Sequence, residues 1–497
     1  MTQTITGFLD LDAQGLAAMG QVTHALGECF AGFGYARVEP PVIDWPDSIL
    51  ERSGEDTRRR VYMFDAPDGG EWCLRPELTV PVCRLALRAG LPVDTPLRLS
   101  YAGPVFRHET LGSGRWRQFT QAGIERLGPG DPVAADAEVV AVAVAAARAA
   151  GLDTPGLVLG DVRFFLAVLD HYPLPERLKI QLRRDFLRAP ALRQALSGDA
   201  GGEAEAISGD QANLIESVTL LGQERAVRLI ESFLSVAEIN PVGNRGIDEI
   251  VERLIEAKVD HVTTLPRDMA EAIEEFLAIR AAPGPALDAL DAFGRRTGVA
   301  FGSLIEDFRR RIGLIEAHGV DLSASVLTPG LKRDLEYYTG FIFDLHAQAP
   351  AGGDPVPLGG GGRYDQLVAS LDAERDTSAA GFALTVERLM VLGRGGVLDG
   401  PLSLESPVHA HVVAATPSEA AAAVGTARTL REAGWRVALD IGTAPGAASV
   451  SPRTAACTIE ITSRGGGMLE AEVRHHADGI RQTVPLANLR EVLAVTR

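Results

Sequence analysis

The hydrophobic positions of this chain fall into segments with two different periods, which predict a mixture of helices and strands. Apolar residues recur with helical spacing over residues 16–33, and Gly34 follows as a helix end signal. A second helix is predicted over residues 131–150, because Asp131-Pro132 combines an N-cap residue with proline at the first helical position. Residues 162–312 are mostly helical in pattern and carry no chemical motif.

The clearest strand pattern is a hairpin. An apolar run over residues 97–106 is followed by Gly112-Ser113-Gly114, which marks a turn, and then by a return run over residues 116–127. This arrangement predicts two long antiparallel strands.

Polar residues on this hairpin are the first candidates for chemistry. Alternate residues of a strand share a face, so Gln121, Gly123 and Glu125 are expected on one face, with Arg107 near the open side of the hairpin. Arginine suits bidentate capture of a carboxylate or phosphate, and Gln and Glu offer acceptors for an amine or an imidazole N–H. A polar hairpin on a solvated sheet face is the alternative that the spacing leaves open.

Glycine marks two other places along the chain. Residues 359–362 are four consecutive glycines, which would let the backbone approach a ligand closely, and a flexible surface loop is the alternative. A stretch rich in Gly, Pro and Ser over residues 393–407 precedes a smaller region in which strand and helix patterns alternate. The stretch therefore indicates a boundary between domains.

Composition sets the class of protein. With 497 residues and 46% hydrophobic residues, the chain is expected to form two or three domains with a sizeable core. It has no apolar run of 18 residues and no secretory signal pattern, so neither a membrane span nor export is expected. The four cysteines show no metal-type pairing and suit a reducing cytoplasm. The net charge of −18 lowers the expectation of nucleic acid binding only modestly.

The chain resembles class II histidyl-tRNA synthetases in several motifs whose order and spacing fit. Phe106-Arg107-His108-Glu109 and the return from Arg115 to Glu125 resemble motif 2. Residues 331–340 and Gly361-Gly362-Arg363-Tyr364-Asp365 resemble the histidine-binding segment and the segment after it. Arg75-Pro76-Glu77-Leu78-Thr79 resembles the segment that binds the histidine amino group, and residues 381–389 resemble motif 3.

This resemblance implies an α+β fold. Residues 1–400 are expected to form a class II synthetase-like antiparallel sheet core with flanking helices, including a helical segment at about 165–310. Residues 401–407 would be a linker, and residues 408–497 a small α/β domain like a degenerate anticodon-binding domain.

The resemblance also implies a histidine pocket. Glu77 and Gln121 would accept from the ammonium with Thr79 bracing them, and Arg107 would take the carboxylate with Arg333 adding positive charge. Glu125 and Tyr338 would hold the imidazole nitrogens. The implied pocket residues are Glu77, Thr79, Arg107, Gln121, Glu125, Arg333, Tyr337 and Tyr338. An N-cap-like acid at the start of the following helix is the alternative for Glu77.

Three departures from the synthetase pattern affect the functional interpretation. Leu78 replaces a glycine and is expected to crowd the adenylate site, and Thr385 stands where motif 3 has a glycine. The region between Asp440 and Cys457 lacks the Lys-rich helix of an anticodon-binding domain. These differences favour the family of synthetase paralogues that act as regulatory subunits of ATP phosphoribosyltransferase, the first enzyme of histidine biosynthesis.

Membership of that family implies a chain with no catalytic residues, cofactor or metal of its own. It implies assembly with a short-form catalytic subunit in a hetero-octamer, and histidine as an effector, with tRNA an unlikely partner. The helix over residues 16–33, the short strand over residues 35–38 and Glu39-Pro40-Pro41 resemble motif 1 of the synthetases, through which self-association as a dimer is implied. Two alternatives stay open. One is an active histidyl-tRNA synthetase, which Arg107 and Arg333 support, and the other is an amino-acid-dependent ligase or modifier with a different acceptor.

Overall fold

The computed structural model of this protein describes most of the chain. The described residues are 5–46, 49, 60–67, 69–90, 95–110, 112–187, 227–228, 267–333, 337–349, 353–372, 377–393, 408–414, 416, 418–441, 455–464 and 468–489. The proposed linker at 401–407 and much of the helical segment at 165–310 lie outside them.

Helices and strands alternate along the described chain. The helices are α1 (Ala13–Gly32), α2 (Thr79–Ala89), α3 (Pro132–Ala149), α4 (Val162–His171), α5 (Glu176–Leu187), α6 (Arg267–Ala278), α7 (Pro283–Thr297), α8 (Gly302–Ala317), α9 (Asp365–Leu371), α10 (Val386–Leu392) and α11 (Ala420–Glu432). The strands are β1 (Ala36–Arg37), β2 (Ile43–Asp44), β3 (Met63–Asp65), β4 (Glu71–Leu74), β5 (Leu97–Phe106), β6 (Gln118–Leu127), β7 (Gly156–Asp161), β8 (Val326–Leu327), β9 (Phe341–Ala347), β10 (Val356–Arg363), β11 (Ala379–Thr385), β12 (Val408–Ala414), β13 (Val437–Ile441), β14 (Ala455–Arg464), β15 (Met468–His475) and β16 (Arg481–Pro485).

The chain divides into two compact units. The larger contains Met1–Phe8 and Val22–Gly395, and the smaller contains Leu9–Gln21 and Gly396–Arg497. The larger unit is built on an eight-stranded sheet with the order β1-β5-β6-β11-β10-β9-β7-β8. All of its strand pairs are antiparallel except β1 with β5 and β7 with β8. The expected α+β fold with an antiparallel sheet core is confirmed.

The predicted hairpin is present as β5 and β6. The two strands pair antiparallel over ten residues each, from Leu97 opposite Leu127 to Phe106 opposite Gln118. The predicted helix after it is α3, where the Asp131 side chain accepts from the Val133 N–H at 3.0 Å. This helix packs across β6, β9, β10 and β11, which explains why its Ala and Val side chains are buried nearly all round.

The four-glycine run is a buried strand in the middle of the sheet, so a surface loop is the wrong interpretation. Residues 359–362 belong to β10, which lies between β9 and β11. A Cβ at Gly361 would overlap the carbonyl oxygen of Gly381 on β11, and one at Gly362 would overlap that of Phe341 on β9. Glycine is therefore required here because neighbouring strands approach closely.

The smaller unit contains a five-stranded sheet with the order β13-β12-β14-β15-β16. One face packs on α11 through buried residues such as Val412, Ile459 and Ala427. The expected alternation of strands and helix is present. Residues 442–454, which fall in the region expected to lack a Lys-rich helix, lie outside the described chain. No helix in the described part of the protein is long and apolar enough to cross a membrane.

Candidate functional site

A cavity of about 280 Å³ lies on the sheet where β6, β10 and β11 meet the segment before β9. It is near the lower end of the range for small-molecule sites, roughly 300–1,000 Å³. Seven of the eight predicted pocket residues line it: Glu77, Thr79, Arg107, Gln121, Arg333, Tyr337 and Tyr338. The structure therefore brings together side chains from four separate parts of the sequence.

The eighth predicted residue, Glu125, lies directly behind the cavity. Its carboxylate is completely buried and accepts hydrogen bonds from Tyr101 Oη at 2.9 Å and from Tyr364 Oη. Burial raises the pKa of Glu125 to about 8, although both tyrosine hydroxyls favour the charged form. Tyr364 and Gly381 line the cavity beside this carboxylate. The site can thus present a carboxyl group and phenols to a small polar ligand.

Glu77 caps a helix while it lines the cavity. Its carboxylate oxygens accept from the backbone N–H groups of Thr79 at 2.5 Å and Val80 at 2.8 Å, at the start of α2. The helix-cap interpretation is therefore confirmed, and binding of a ligand ammonium stays a prediction. Burial raises the pKa of Glu77, against the effect of these amides and of Arg107.

Leu78 does not crowd the cavity, so that expectation is wrong. Its side chain is buried in the hydrophobic core with Val82 and Tyr101, and it is not among the residues that line the cavity. Only its backbone faces the site, where the Leu78 N–H donates to Gln121 Oε1 at 3.2 Å. Leu78 immediately precedes α2, which begins at Thr79.

The two arginines predicted for the pocket, Arg107 and Arg333, have different hydrogen-bond and ion-pair partners. Arg107 Nε donates to the Pro76 carbonyl at 2.7 Å, and its guanidinium lies 5.4 Å from the centre of the Phe119 ring. Arg333 forms an ion pair with Asp344 and donates to the Phe343 carbonyl at 3.1 Å. The predicted extra positive charge from Arg333 is therefore partly neutralised within the cavity wall.

Sequence reasoning missed several residues of this site. Tyr364 holds Glu125, and its signal was available because it lies within the Gly361–Asp365 segment that resembles the synthetases. Arg60 lines the cavity and pairs with Glu109, and no pattern in the sequence marks it. Arg388 was not missed, because it is the arginine of the segment that resembles motif 3; it lines the cavity and donates to the Pro357 carbonyl at 2.6 Å. The described residues include no cluster of three or more His, Cys, Asp or Glu that could hold a metal ion.

Known proteins with similar sequences point to one family. Residues 7–208 and 210–389 match the family model described as histidyl-tRNA synthetase. The ATP phosphoribosyltransferase regulatory subunit of Brucella canis is 35% identical over 362 residues, which cover 71% of this chain and 92% of that protein. The corresponding Brucella abortus protein matches to the same extent.

Solved structures confirm the fold. An ATP phosphoribosyltransferase regulatory subunit/histidyl-tRNA synthetase from Bacillus halodurans superposes with a TM-score of 0.65 at 18% identity, over 93% of this chain and 98% of that one. The histidyl-tRNA synthetase from Nostoc sp. PCC 7120 gives a TM-score of 0.62 at 15% identity over the whole of both chains. Together with the sequence matches, these findings show that the chain belongs to the histidyl-tRNA synthetase family and, within it, to the ATP phosphoribosyltransferase regulatory subunits.

Proposed function

We propose that this chain is the regulatory subunit that a short-form ATP phosphoribosyltransferase needs for the first step of histidine biosynthesis. The observation that carries the proposal is the match to Brucella regulatory subunits, which covers 92% of their length. The site for ATP and phosphoribosyl pyrophosphate would then lie on the catalytic partner, and this chain would catalyse no reaction of its own.

We propose further that the cavity binds histidine as a feedback effector. Histidine carries an ammonium, a carboxylate and an imidazole, and the cavity offers a group for each. Glu77 and Gln121 lie on one wall for the ammonium, and Arg107 suits the carboxylate. Tyr338, Tyr364 and the Glu125 carboxyl behind it can hold the imidazole nitrogens and select one tautomer.

Assembly and location complete the proposal. The regulatory chain would form a dimer through the motif 1 region around α1 and β1, and would join catalytic subunits in a hetero-octamer. The complex would work in the cytoplasm, and the four free cysteines of this chain are consistent with a reducing compartment.

An active synthetase is the second candidate, and one feature of the cavity favours it. Arg107, Arg333 and Arg388 all line the same cavity, and Leu78 does not fill it. The remaining difference from the synthetase pattern is Thr385, which stands where motif 3 has a glycine and also lines the cavity. Histidine-dependent ATP–pyrophosphate exchange separates the two candidates, because only a synthetase forms histidyl-adenylate.

The test of the proposed function is reconstitution with a short-form catalytic subunit. ATP phosphoribosyltransferase activity should require this chain and should be inhibited by histidine. Glu125→Ala should weaken histidine binding about 5- to 150-fold, because polar groups of the pocket lose a partner. Activity should be retained and inhibition lost, since feedback requires that histidine bind two states of the assembly differently.

Glu138→Ala is the matched control for that variant. Glu138 also accepts from a tyrosine hydroxyl, Tyr35 at 2.8 Å, but it does not line the cavity. It should leave histidine affinity unchanged. Full activity of the catalytic subunit without this chain, or adenylate formation at about 1 s⁻¹ or faster, would contradict the proposed function. Unchanged inhibition in Glu125→Ala would instead place the effector site elsewhere.

A further inference from the structure

Arg75 is a completely buried arginine two residues before Glu77, and the resemblance to the synthetases assigns it no role. Burial lowers the pKa of its guanidinium, against the effect of Glu39, Asp44 and Glu77. Among the described residues, the groups that accept hydrogen bonds from it are backbone carbonyls. Burying a charge without a directly paired counter-charge is costly. We therefore expect this side chain to do something that an apolar side chain of similar size could not do.

The guanidinium joins two separate segments of the chain. Arg75 Nε donates to the Pro104 carbonyl of β5 at 2.8 Å. One terminal nitrogen donates to the Pro40 carbonyl at 2.6 Å and to the Pro41 carbonyl at 3.2 Å, in the segment between β1 and β2. The Arg75 backbone N–H donates to the carbonyl of Val42 in the same segment at 3.0 Å. Because the guanidinium is a rigid planar fork, these bonds fix both segments relative to the arginine.

The backbone that Arg75 fixes leads directly to two residues of the cavity. The Arg75 carbonyl accepts from the Phe106 N–H at 3.0 Å, and the next carbonyl, that of Pro76, accepts from Arg107 Nε at 2.7 Å. Glu77 follows in the chain, and its carboxylate lines the cavity. The groups proposed to hold the ammonium and the carboxylate of histidine therefore both depend on the position of residues 75–77.

The group proposed to hold the imidazole has separate support. The Glu125 carboxylate accepts from Tyr101 Oη at 2.9 Å and from Tyr364 Oη, and neither bond involves Arg75. A displacement of Arg75 should therefore affect one end of the ligand and not the other.

Gly103 leaves room for the guanidinium. A Cβ at Gly103 would lie 2.6 Å from Arg75 Nη2, which has no hydrogen-bond partner among the described residues. The next nearest atoms would be Arg75 Cζ at 3.6 Å and Leu78 Cδ1 at 3.9 Å. A methyl group at residue 103 would thus push the guanidinium away from its carbonyls without removing its charge.

We propose that Arg75 is a positioning residue that places Glu77 and Arg107, and so determines how the site recognises the ammonium and carboxylate of its ligand. The imidazole is recognised independently of it. The identity of the ligand rests on the proposed function, whereas the placement of Glu77 by Arg75 can be measured without a ligand.

The experiment compares two ligands on the wild type, Arg75→Lys and Gly103→Ala. Lysine keeps the charge but lacks the planar fork that reaches both segments. Histidine affinity, measured by calorimetric titration of the full chain, should fall about tenfold or more in each variant, equal to about 1.4 kcal/mol, because bonds to the charged groups of the ligand are weakened. The second ligand, 4-methylimidazole, keeps only the ring. Its affinity, measured by competition with histidine, should stay within about twofold of the wild-type value.

Amide hydrogen exchange of the unliganded chain tests the positioning itself. Peptides over residues 76–82 should lose protection in both variants, because the Thr79 and Val80 amides donate to Glu77. Peptides of β6 should keep their protection. Loss of protection in both regions would indicate that the variants weaken the whole fold, and it would overturn the proposal.

Arg98→Lys and Gly156→Ala are the matched controls. Arg98 is an arginine of β5 that is bonded to Glu138 at 2.8 Å and 2.9 Å and does not line the cavity. At Gly156 the atom nearest to an added Cβ is 3.8 Å away. Both controls should bind the two ligands as the wild type does.

Two outcomes of the titrations would overturn the proposal. One is unchanged histidine affinity in Arg75→Lys and Gly103→Ala, and the other is an equal loss of affinity for both ligands. Failure of the wild type to bind histidine would instead overturn the proposed effector role. In that case, unchanged exchange over residues 76–82 in the two variants would overturn the positioning role, and a loss of protection confined to these residues would support it.

Discussion

At the scale of single residues, the Glu125 carboxyl combines complete burial with two tyrosine donors, and this predicts a specific pH dependence. Its pKa is about 8 in the folded protein and about 4.3 in an unfolded chain. Between these values the folded state keeps a proton that the unfolded state has lost. The free energy of unfolding should therefore fall as pH rises through this window, by up to about 1.4 kcal/mol per pH unit from this group, and level off above pH 8.

Urea unfolding of wild type and Glu125→Gln between about pH 5.5 and pH 8.5 measures this contribution. The difference in free energy between the two proteins should change with pH over that range. Glu138→Gln is the control, because burial disfavours the charged form of Glu138 but hydrogen bonds from Arg98 and Tyr35 outweigh it and lower its pKa. Its difference from wild type should be flat over the same range. A flat difference for Glu125→Gln would show that the carboxyl is ionised throughout.

Gly381 is a second residue whose substitution has a predictable result. A Cβ at this position would overlap Oε2 of Glu125 and the carbonyl oxygen of Ile124. Gly381→Ala should therefore displace the Glu125 carboxylate, lower the unfolding free energy by about 1–3 kcal/mol and abolish histidine binding. Gly425→Ala on α11 is the control, because no atom lies within 4 Å of its Cβ position. It should stabilise the protein slightly, by about 0.5–1 kcal/mol. Normal histidine titration of Gly381→Ala would contradict this account of the site.

Single residues also show where sequence reasoning stops. The residue types of the pocket were predictable because each falls within a short motif, and seven of them line the cavity. The orientation of the Leu78 side chain could not be predicted, because its burial in the core depends on residues from distant parts of the chain. The tyrosines that hold Glu125 lie 24 and 239 residues away in the sequence, so only the folded sheet brings them together.

At the scale of elements, the sequence predicted structure formed by residues close together in the chain better than contacts between distant segments. The β5–β6 hairpin was predictable because its two apolar runs and its turn are adjacent in the chain. The glycine run in β10 was ambiguous because glycine also marks loops. Glycine is needed in β10 because β9 and β11 approach it closely. Those strands come from other parts of the chain, so the sequence around the glycines carries no signal of this contact.

One buried charge joins three elements of the larger unit. Asp136 on α3 accepts from Arg311 Nε on α8 at 3.0 Å and from an Arg363 terminal nitrogen on β10 at 2.8 Å. The side chains of Asp136 and Arg311 are 0% and 2% exposed, so water cannot replace this carboxylate. Because Arg363 precedes Tyr364, which lines the cavity, the network also supports the wall of the cavity proposed to bind histidine.

Removal of that charge should destabilise the protein strongly. Asp136→Asn leaves the buried Arg311 guanidinium without its carboxylate partner, and Arg363 keeps only its ion pair with Asp365. This loss should cost about 3–5 kcal/mol in urea unfolding. Asp131→Asn is the matched control. It loses only the exposed ion pair with Arg310 and keeps an N-cap side chain for α3, so its cost should be under about 1 kcal/mol. Similar costs for the two variants would mean that the buried network contributes little.

At the scale of the whole molecule, the chain carries a net charge of −18, and the smaller domain adds almost no excess of cations, because residues 408–497 contain nine Arg, no Lys and eight Asp or Glu. On the sheet face opposite α11, Glu460 lies directly across from Glu472, and Asp440 lies two strands away in the same row. Like charges placed opposite each other on adjacent strands are unfavourable. In the neighbouring row of the same face Arg474 lies opposite Arg481, and Asp440 pairs with His411 at 2.8 Å. This face therefore carries both signs of charge and no excess of cations for a nucleic acid backbone.

This charge distribution predicts that the chain does not bind tRNA. Nucleic acid binding depends on lysine and arginine that neutralise phosphates and release counterions, and carboxylates on the surface oppose it. A filter-binding titration with histidine tRNA at about 0.15 M salt should show no saturation below about 10⁻⁵ M protein. A histidyl-tRNA synthetase in the same assay is the positive control, and a tRNA for another amino acid tests specificity. Saturable binding at submicromolar concentration with preference for histidine tRNA would contradict the prediction and would favour a working synthetase. Weak binding that does not distinguish the two tRNAs and disappears as salt rises would be non-specific attraction to the remaining arginines, and it would leave the regulatory role in place.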